Sequence, residues 1–184
     1  MPRALRLIPN HGMLHVICRG NNKRKVFLRE KDYKYYYRCL VELKKEERVR
    51  IYHYCLMPNH PHLLVGVDEE SNLSHFMQRV NGKYVYYYKK RHQYVGHLWQ
   101  DRFKSKIIDD EGYLAQCGKY IELNPVRAKL VDVPEEYGFS SYCHYAFGKE
   151  DELVDDSPLF LSLDEDPIKR SRIYRETIRA EMKL

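Results

Sequence analysis

The chain of 184 residues carries a formal net charge of +6, and 43% of its residues are hydrophobic. This length suits one ordinary domain with its own core and is too short for two full-sized domains. No stretch approaches the roughly 20 apolar residues of a membrane span, and the first ten residues lack the apolar centre of a secretory signal. We therefore expect a cytoplasmic protein with no membrane partner. The five cysteines form no C-x-x-C pair, so we expect reduced thiols.

The first two thirds of the chain predict an alternation of strands and helices. In chain order, we expect a strand, a helix, two strands of a hairpin, a second helix and a fourth strand at residues 14–18, 32–47, 50–57, 60–67, 71–91 and 103–108. The second helix is expected to kink near its glycine. Its tyrosines have the i, i+3, i+4 spacing of a buried stripe, which favours the core for Tyr84, Tyr87 and Tyr88.

A third helix is predicted after Asp109-Asp110, which can cap its N-terminus. It should end at Asn124-Pro125, because the residue before a proline is displaced from the α-helical region. Beyond it, we expect a short helix from residue 139, an acidic linker at 148–156 and a final basic helix at 167–183.

This order of elements is that of a ferredoxin-like α+β unit, in which two helices cover one face of an antiparallel sheet. We expect the third helix to lie beside the sheet as an addition. We divide the chain into a main domain, residues 1–147, and an acidic linker with a C-terminal basic helix, residues 148–184. Many unrelated proteins share such a layout, so it predicts no function by itself.

Two histidines, His60 and His62, begin the second strand of the predicted hairpin. Alternation along a strand places both rings on one face, where their nitrogens can converge on one metal ion. Such a pair is a weak signal alone, because packing often produces it.

Tyr120 and Asn124 are four residues apart on the third predicted helix, so both can project from one side. An amide oxygen suits a hard cation, and a phenol beside that cation could attack a phosphodiester whose charge the cation neutralises. Without the two histidines, a packing role for Tyr120 and a turn role for Asn124 would be the simpler interpretations.

Four runs of sequence carry a resemblance to a known family, and they lie within residues 14–145. The runs are HVICRGNN at 15–22, YCLMPNHPHLLV at 54–65, VGHLWQDRFK at 95–104 and YIELNPVR at 120–127. Together they resemble the single-tyrosine HUH transposases, in particular the subgroup that includes the REP-associated tyrosine transposases. Their joint occurrence is far more specific than any one run.

The resemblance implies Mg²⁺ or Mn²⁺ held by His60 and His62, with Asn124 completing the site. It implies that Tyr120 is the nucleophile, which forms a 5′-phosphotyrosyl link to single-stranded DNA and frees a 3′-hydroxyl. Relatives recognise a DNA hairpin beside the cleavage point and include monomers and dimers, so a homodimer is one expectation. Pro61 departs from the bulky apolar residue usual between the histidines, which a strand tolerates near its start.

The basic residues are clustered, as a surface that binds nucleic acid requires, although basic faces also occur on ordinary soluble proteins. Aromatic rings among these cations could stack on unpaired bases. Trp99, the only tryptophan, is expected to be a packing anchor. The candidate DNA-binding cations are Arg19, Lys23, Arg24, Lys25, Lys83, Lys89, Lys90, Arg91, Arg102, Lys104 and Lys106.

The sequence therefore predicts a metal-dependent transposase that nicks and joins single-stranded DNA. Three alternatives stay open: a domesticated hairpin-binding protein that no longer cuts, a small RNA-binding module, and a metal-dependent hydrolase in which Tyr120 is a bystander.

Overall fold

A four-stranded antiparallel sheet forms the centre of the molecule. The computed structural model describes residues 8–182, apart from the side chain of Glu111. The strands, in the order β2-β3-β1-β4 across the sheet, are β1 (Gly12–Ile17), β2 (Arg50–Met57), β3 (His60–Val67) and β4 (Lys104–Ile108). Each predicted strand is present, with its ends displaced by a few residues at most.

Helices cover both faces of this sheet. The helices of the described residues are α1 (Glu30–Glu46), α2 (Leu73–His92), α3 (Glu111–Arg127), α4 (Tyr142–Phe147), α5 (Pro158–Leu161) and α6 (Pro167–Met182), with short 3-10 helices at Asn21–Lys23 and Pro134–Glu136; α1 and α2 lie on one face of the sheet and α3 on the other. Helix α2 is continuous through Gly82. Within residues 8–182, no helix is both long enough and apolar enough to cross a bilayer.

Helices α1 and α2 pack on one face of the sheet, as the ferredoxin-like arrangement predicts. Leu14 and Val16 of β1, with Leu63 and Val65 of β3, point into this layer and are completely buried. The predicted tyrosine stripe is part of the same core, with Tyr84 and Tyr88 buried and Tyr87 packed at its edge. Trp99 also packs here, its ring centre 5.9 Å from that of Tyr84, which confirms its predicted structural role.

Helix α3 lies across the opposite face of the sheet, whereas the sequence predicted a position beside it. Its buried residues Leu114, Cys117 and Ile121 pack on the face that carries Cys55 of β2 and Leu64 of β3. The sheet therefore has an apolar layer on each side.

A β-bulge in β2 directs His53 toward α3. Residues two apart on a strand normally face the same side, but the register shifts between Ile51 and His53. Ile51 consequently packs with α1 and α2, while His53 contacts Glu122 of α3. A bulge of this kind re-aims a side chain without ending the strand.

The prediction that Asn124-Pro125 ends the third helix is wrong, because α3 continues to Arg127 with Pro125 inside its last turn. Proline lacks the N–H that would bind the carbonyl four residues earlier. That carbonyl, of Ile121, instead accepts a hydrogen bond from the Asn124 side-chain Nδ2 at 3.4 Å. The helical bonding pattern continues past the proline, and at the helix end the Ala128 N–H donates to the Asn124 carbonyl at 2.9 Å.

The acidic stretch at residues 148–156, expected to be a linker, packs against β2 and α1. Leu153 is completely buried in the α1–α2 core. Asp155 accepts a hydrogen bond from the Ile51 N–H at 2.8 Å, and its ion pair with Lys44 measures 3.0 Å. Two tyrosine hydroxyls, of Tyr37 and Tyr54, donate to Asp151. The division of the chain at residue 147 stays a prediction, but the segments on its two sides are in contact.

Because α3 approaches β2 so closely, we expect Gly118→Ala to lower the free energy of unfolding by about 1–3 kcal/mol through overpacking. A Cβ at Gly118 would lie 2.8 Å from Nε2 of the buried His53 ring. The matched control is Gly82→Ala in α2, where an added Cβ meets nothing within 4 Å. This variant should be more stable than wild type by up to about 1 kcal/mol, because alanine has the higher helix propensity. Urea unfolding measures both, and a Gly118→Ala protein as stable as wild type would contradict the close contact.

Helix α6 should contribute directly to stability. Ile178 is completely buried among Leu123, Tyr145 and Phe160, so Ile178→Ala should cost about 2–5 kcal/mol. Ile168, on the same helix, is 81% exposed, and Ile168→Ala should change stability by less than about 0.5 kcal/mol. Equal unfolding midpoints for the two variants would show that α6 does not pack as described.

Candidate active site

The structure brings His60, His62 and Tyr120 together on the face of the sheet that α3 covers. The ring centres of His60 and His62 are 4.5 Å apart, which agrees with the predicted common face. The ring centre of Tyr120 lies 5.8 Å from that of His62, with the planes at 85°.

Strand alternation and helix packing together produce this meeting. Leu63 of β3 points into the α1–α2 layer, so the neighbouring His62 must point to the other side. On α3, Cys117 and Ile121 face the sheet, and Tyr120 therefore lies at the edge of the helix with 43% of its surface exposed. The hydroxyl-bearing ring thus borders the imidazoles while remaining open to a substrate.

Each imidazole of the pair has its Nδ1 occupied by a neighbouring side chain. Nδ1 of His60 is 2.6 Å from Oδ1 of Asn59, and Nδ1 of His62 is 2.9 Å from Nε2 of His15. Nε2 of His62 is buried and has no hydrogen-bond partner within the described structure. A buried ring nitrogen without a partner, beside a second imidazole, is chemically suited to binding a metal ion.

Burial keeps these rings neutral at pH 7. Burial, followed by the charge of Arg19, lowers the pKa of His60 from 6.5 to about 4. Burial, followed by the neighbouring His60, lowers the pKa of His62 to about 2. The pKa of His15 falls to about 4 through burial and then the charge of Lys106. Neutral imidazole is the form that binds a metal.

Asn124, the predicted third ligand, lies one turn after Tyr120, and its Nδ2 donates to the Tyr120 carbonyl at 2.9 Å. The amide oxygen is therefore the atom free of that bond and suited to a cation. No cluster of three or more His, Cys, Asp or Glu side chains in the described structure is arranged around one metal position. The role of Asn124 stays a prediction.

A groove with positive charge runs beside the histidines. Three of the predicted DNA-binding cations line it, and its lining residues are Ile17, Arg19, His60, His62, Gln100, Asp101, Arg102, Lys104 and Tyr120. Phosphate groups of a nucleic acid could be neutralised there next to the phenol ring.

The α2 cations that the sequence grouped with this surface lie elsewhere. Lys83, Lys89, Lys90 and Arg91 belong to α2, which packs on the other face of the sheet. Lys83 forms an ion pair with Glu42 at 2.9 Å. Because they do not line the groove, any contact they make with DNA would be at a separate surface.

The remaining candidate cations lie in the segment that follows β1 and on the edge strand β4. Lys23, Arg24 and Lys25 follow β1 and are exposed, and the Arg24 guanidinium lies 4.7 Å from the ring centre of Tyr94. Lys106 of β4 donates to the Tyr113 hydroxyl at 2.9 Å. Their contacts with DNA stay predictions.

Local sequence patterns single out neither of two residues beside the site, His15 and Arg127, nor the buried Glu122 on the far side of α3's contact with β2. His15 lies between two core residues of β1, Leu14 and Val16, and this alternation is the signal that it faces the other side of the sheet. The guanidinium of Arg127 lies 5.4 Å from the ring centre of Tyr120. Glu122, completely buried, accepts hydrogen bonds from Ser141 and Tyr174 and contacts His53, and no local pattern indicates such a cluster.

Comparison with known proteins identifies a family for this chain. The family model described as "Transposase IS200 like" matches residues 10–124. A curated relative from Haemophilus influenzae, "Putative REP-associated tyrosine transposase", is 29% identical over 98 residues, which are 48% of this chain and 56% of the relative. The chain thus spans little more than half of that relative.

A solved structure of a REP-associated tyrosine transposase bound to a REP hairpin has the same fold. The TM-score is 0.68 at 18% identity, and the match covers 85% of this chain and 93% of the other. The family match extends over more than half of the sequence and includes His60, His62, Tyr120 and Asn124. The chain therefore belongs to the IS200-like transposase family.

Proposed function

We propose that this protein is a metal-dependent transposase that nicks and joins single-stranded DNA through a covalent tyrosyl intermediate. The observation that carries the proposal is the position of the exposed Tyr120 ring, 5.8 Å from His62 at the rim of a cationic groove. A nucleophile, a pair of neutral imidazoles and phosphate-binding cations are the parts that such a reaction needs.

His60 and His62 would hold Mg²⁺ or Mn²⁺ through their Nε2 atoms, with the amide oxygen of Asn124 as a further ligand. The unpartnered, buried Nε2 of His62 supports this assignment. A cation bound there would neutralise a non-bridging oxygen of the scissile phosphate.

In the proposed reaction, the Tyr120 oxygen bonds to phosphorus and the bond from phosphorus to the 3′-oxygen breaks. The phenol proton leaves to solvent, and the departing 3′-oxygen takes up a proton. The Arg127 guanidinium lies 5.4 Å from the centre of the Tyr120 ring and is ion-paired with Glu181 at 3.6 Å; its remaining positive potential would favour the negative charge that develops on the attacking oxygen. The tyrosyl ester retains the energy of the phosphodiester, so a 3′-hydroxyl can later rejoin the strand without ATP.

We propose hairpin DNA as the substrate because the solved relative is bound to a REP hairpin and because Arg19, Arg102 and Lys104 line the groove beside Tyr120. A cytoplasmic location and a homodimeric assembly stay predictions.

Tyr120→Phe should abolish formation of a covalent protein–DNA adduct, because phenylalanine lacks the attacking oxygen. The assay incubates the protein with a single-stranded hairpin oligonucleotide and Mg²⁺ and detects the adduct by denaturing electrophoresis. Tyr86→Phe, at a tyrosine that is 71% exposed on α2, is the matched control and should retain the adduct.

Other outcomes of this assay, together with binding measured on the same protein, identify the alternatives. Hairpin binding without an adduct in the wild type indicates a domesticated binding protein. Cleaved ends without attached protein indicate a hydrolase. Tighter binding of single-stranded RNA of matched length indicates an RNA-binding module. Each of these results contradicts the proposed function.

Removing both imidazoles should abolish saturable Mn²⁺ binding. We expect a His60→Ala, His62→Ala protein to leave Mn²⁺ free in solution, as measured by the electron paramagnetic resonance signal of the free ion. His97→Ala, at an exposed histidine, is the control and should bind as wild type does. Unchanged binding in the double variant would place the metal elsewhere.

A further inference from the structure

His15 and His62 form a side-chain pair across two neighbouring strands. Nε2 of His15 lies 2.9 Å from Nδ1 of His62, and the rings stack with centres 5.1 Å apart at 17°. In the β1–β3 register, His15 is opposite Leu64 and His62 is opposite Ile17. The two histidines are therefore diagonal neighbours on one face, which long side chains can bridge.

Only one arrangement of protons in this pair gives His62 a ligand atom. A neutral imidazole carries one proton, so in the hydrogen bond one ring donates and the other accepts. If His15 donates, the His62 proton is on Nε2, which would then be a buried N–H without an acceptor. If His62 donates from Nδ1, its Nε2 carries a lone pair that can bind a cation.

His60 shows the same arrangement with an unambiguous partner. Its Nδ1 lies 2.6 Å from the amide oxygen of Asn59, and an amide oxygen can only accept. The His60 proton is therefore on Nδ1, and Nε2 carries the lone pair. The two proposed ligands would thus be held in the same tautomer, each by a neighbouring acceptor.

We infer that His15 is a positioning residue for the metal site: it accepts the Nδ1 proton of His62 and so presents the Nε2 lone pair of His62 to the cation. This inference rests on the proposed function. Acceptors on the second nitrogen of a metal-binding histidine fix its tautomer and its ring orientation and raise its basicity.

The strand itself holds His15 in place for this role. Leu14 and Val16, on either side of it, are completely buried in the opposite layer, and β1 is paired on both edges, with β3 and with β4. The backbone at His15 is consequently fixed, and its ring cannot turn to the other face without exposing core residues.

Two substitutions separate the hydrogen bond from the ring packing. His15→Phe keeps an aromatic ring against His62 but removes the acceptor, whereas His15→Gln removes the ring but can place an oxygen near the position of Nε2. We expect His15→Phe to weaken Mn²⁺ binding by about 10–100-fold, while His15→Gln stays close to wild type. His11→Phe, at a largely exposed histidine four residues earlier, is the control.

Affinity is measured on the full chain from the resonance signal of free Mn²⁺, after circular dichroism has shown that each variant is folded. If wild type binds Mn²⁺ and His15→Phe binds equally well, the positioning role is wrong and the metal site stands. If wild type binds no Mn²⁺, the proposed metal site itself is wrong and the inference fails with it.

A second measurement needs neither a metal nor a folded variant. Long-range ¹H–¹⁵N correlation spectra of the metal-free wild type show which imidazole nitrogen carries the proton. We expect His62 to be protonated on Nδ1 and His15 to have an unprotonated Nε2. A wild-type His62 that carries its proton on Nε2 would overturn the inference.

Discussion

Helix α3 can carry Tyr120 to the imidazoles only because it lies very close to strand β2. Gly118 permits this approach, since any Cβ would meet the ring of His53. Four residues later along the same helix, Glu122 receives hydrogen bonds of 2.6 Å from Ser141 and from Tyr174. A buried carboxylate that lost such partners would be strongly destabilised, so these contacts fix the helix at the separation that places the phenol beside His62.

Two properties of the site have a common physical origin. The cations that could neutralise DNA phosphates also oppose protonation of the neighbouring histidines, as Arg19 does for His60 and Lys106 does for His15. Burial acts in the same direction. The cations around β3 therefore attract anions to the surface. The same cations, together with burial, keep the imidazoles beneath that surface unprotonated at neutral pH.

Local patterns predicted the strands, the hairpin and the common face of His60 and His62, because alternation along a strand is a property of consecutive residues. The four-residue spacing likewise placed Tyr120 and Asn124 on one side of a helix. The face of the sheet that α3 covers and the role of Glu122 depend on contacts between distant segments, which no local pattern contains. The course of α3 through Pro125 was missed because a side-chain amide replaces the lost backbone donor, as the Asn124–Ile121 contact shows.

The buried carboxylate of Glu122 also ties the family-matched part of the polypeptide to the segments that follow it. The family match ends at Asn124, yet two of the hydrogen-bond donors to Glu122 come from Ser141 and Tyr174, beyond that point. A fragment that stopped at Asn124 would retain all four residues assigned to the chemistry but would lack the Ser141 and Tyr174 hydroxyls that bond to this acid. The contacts that hold the helix carrying the nucleophile therefore extend along the chain as far as Tyr174.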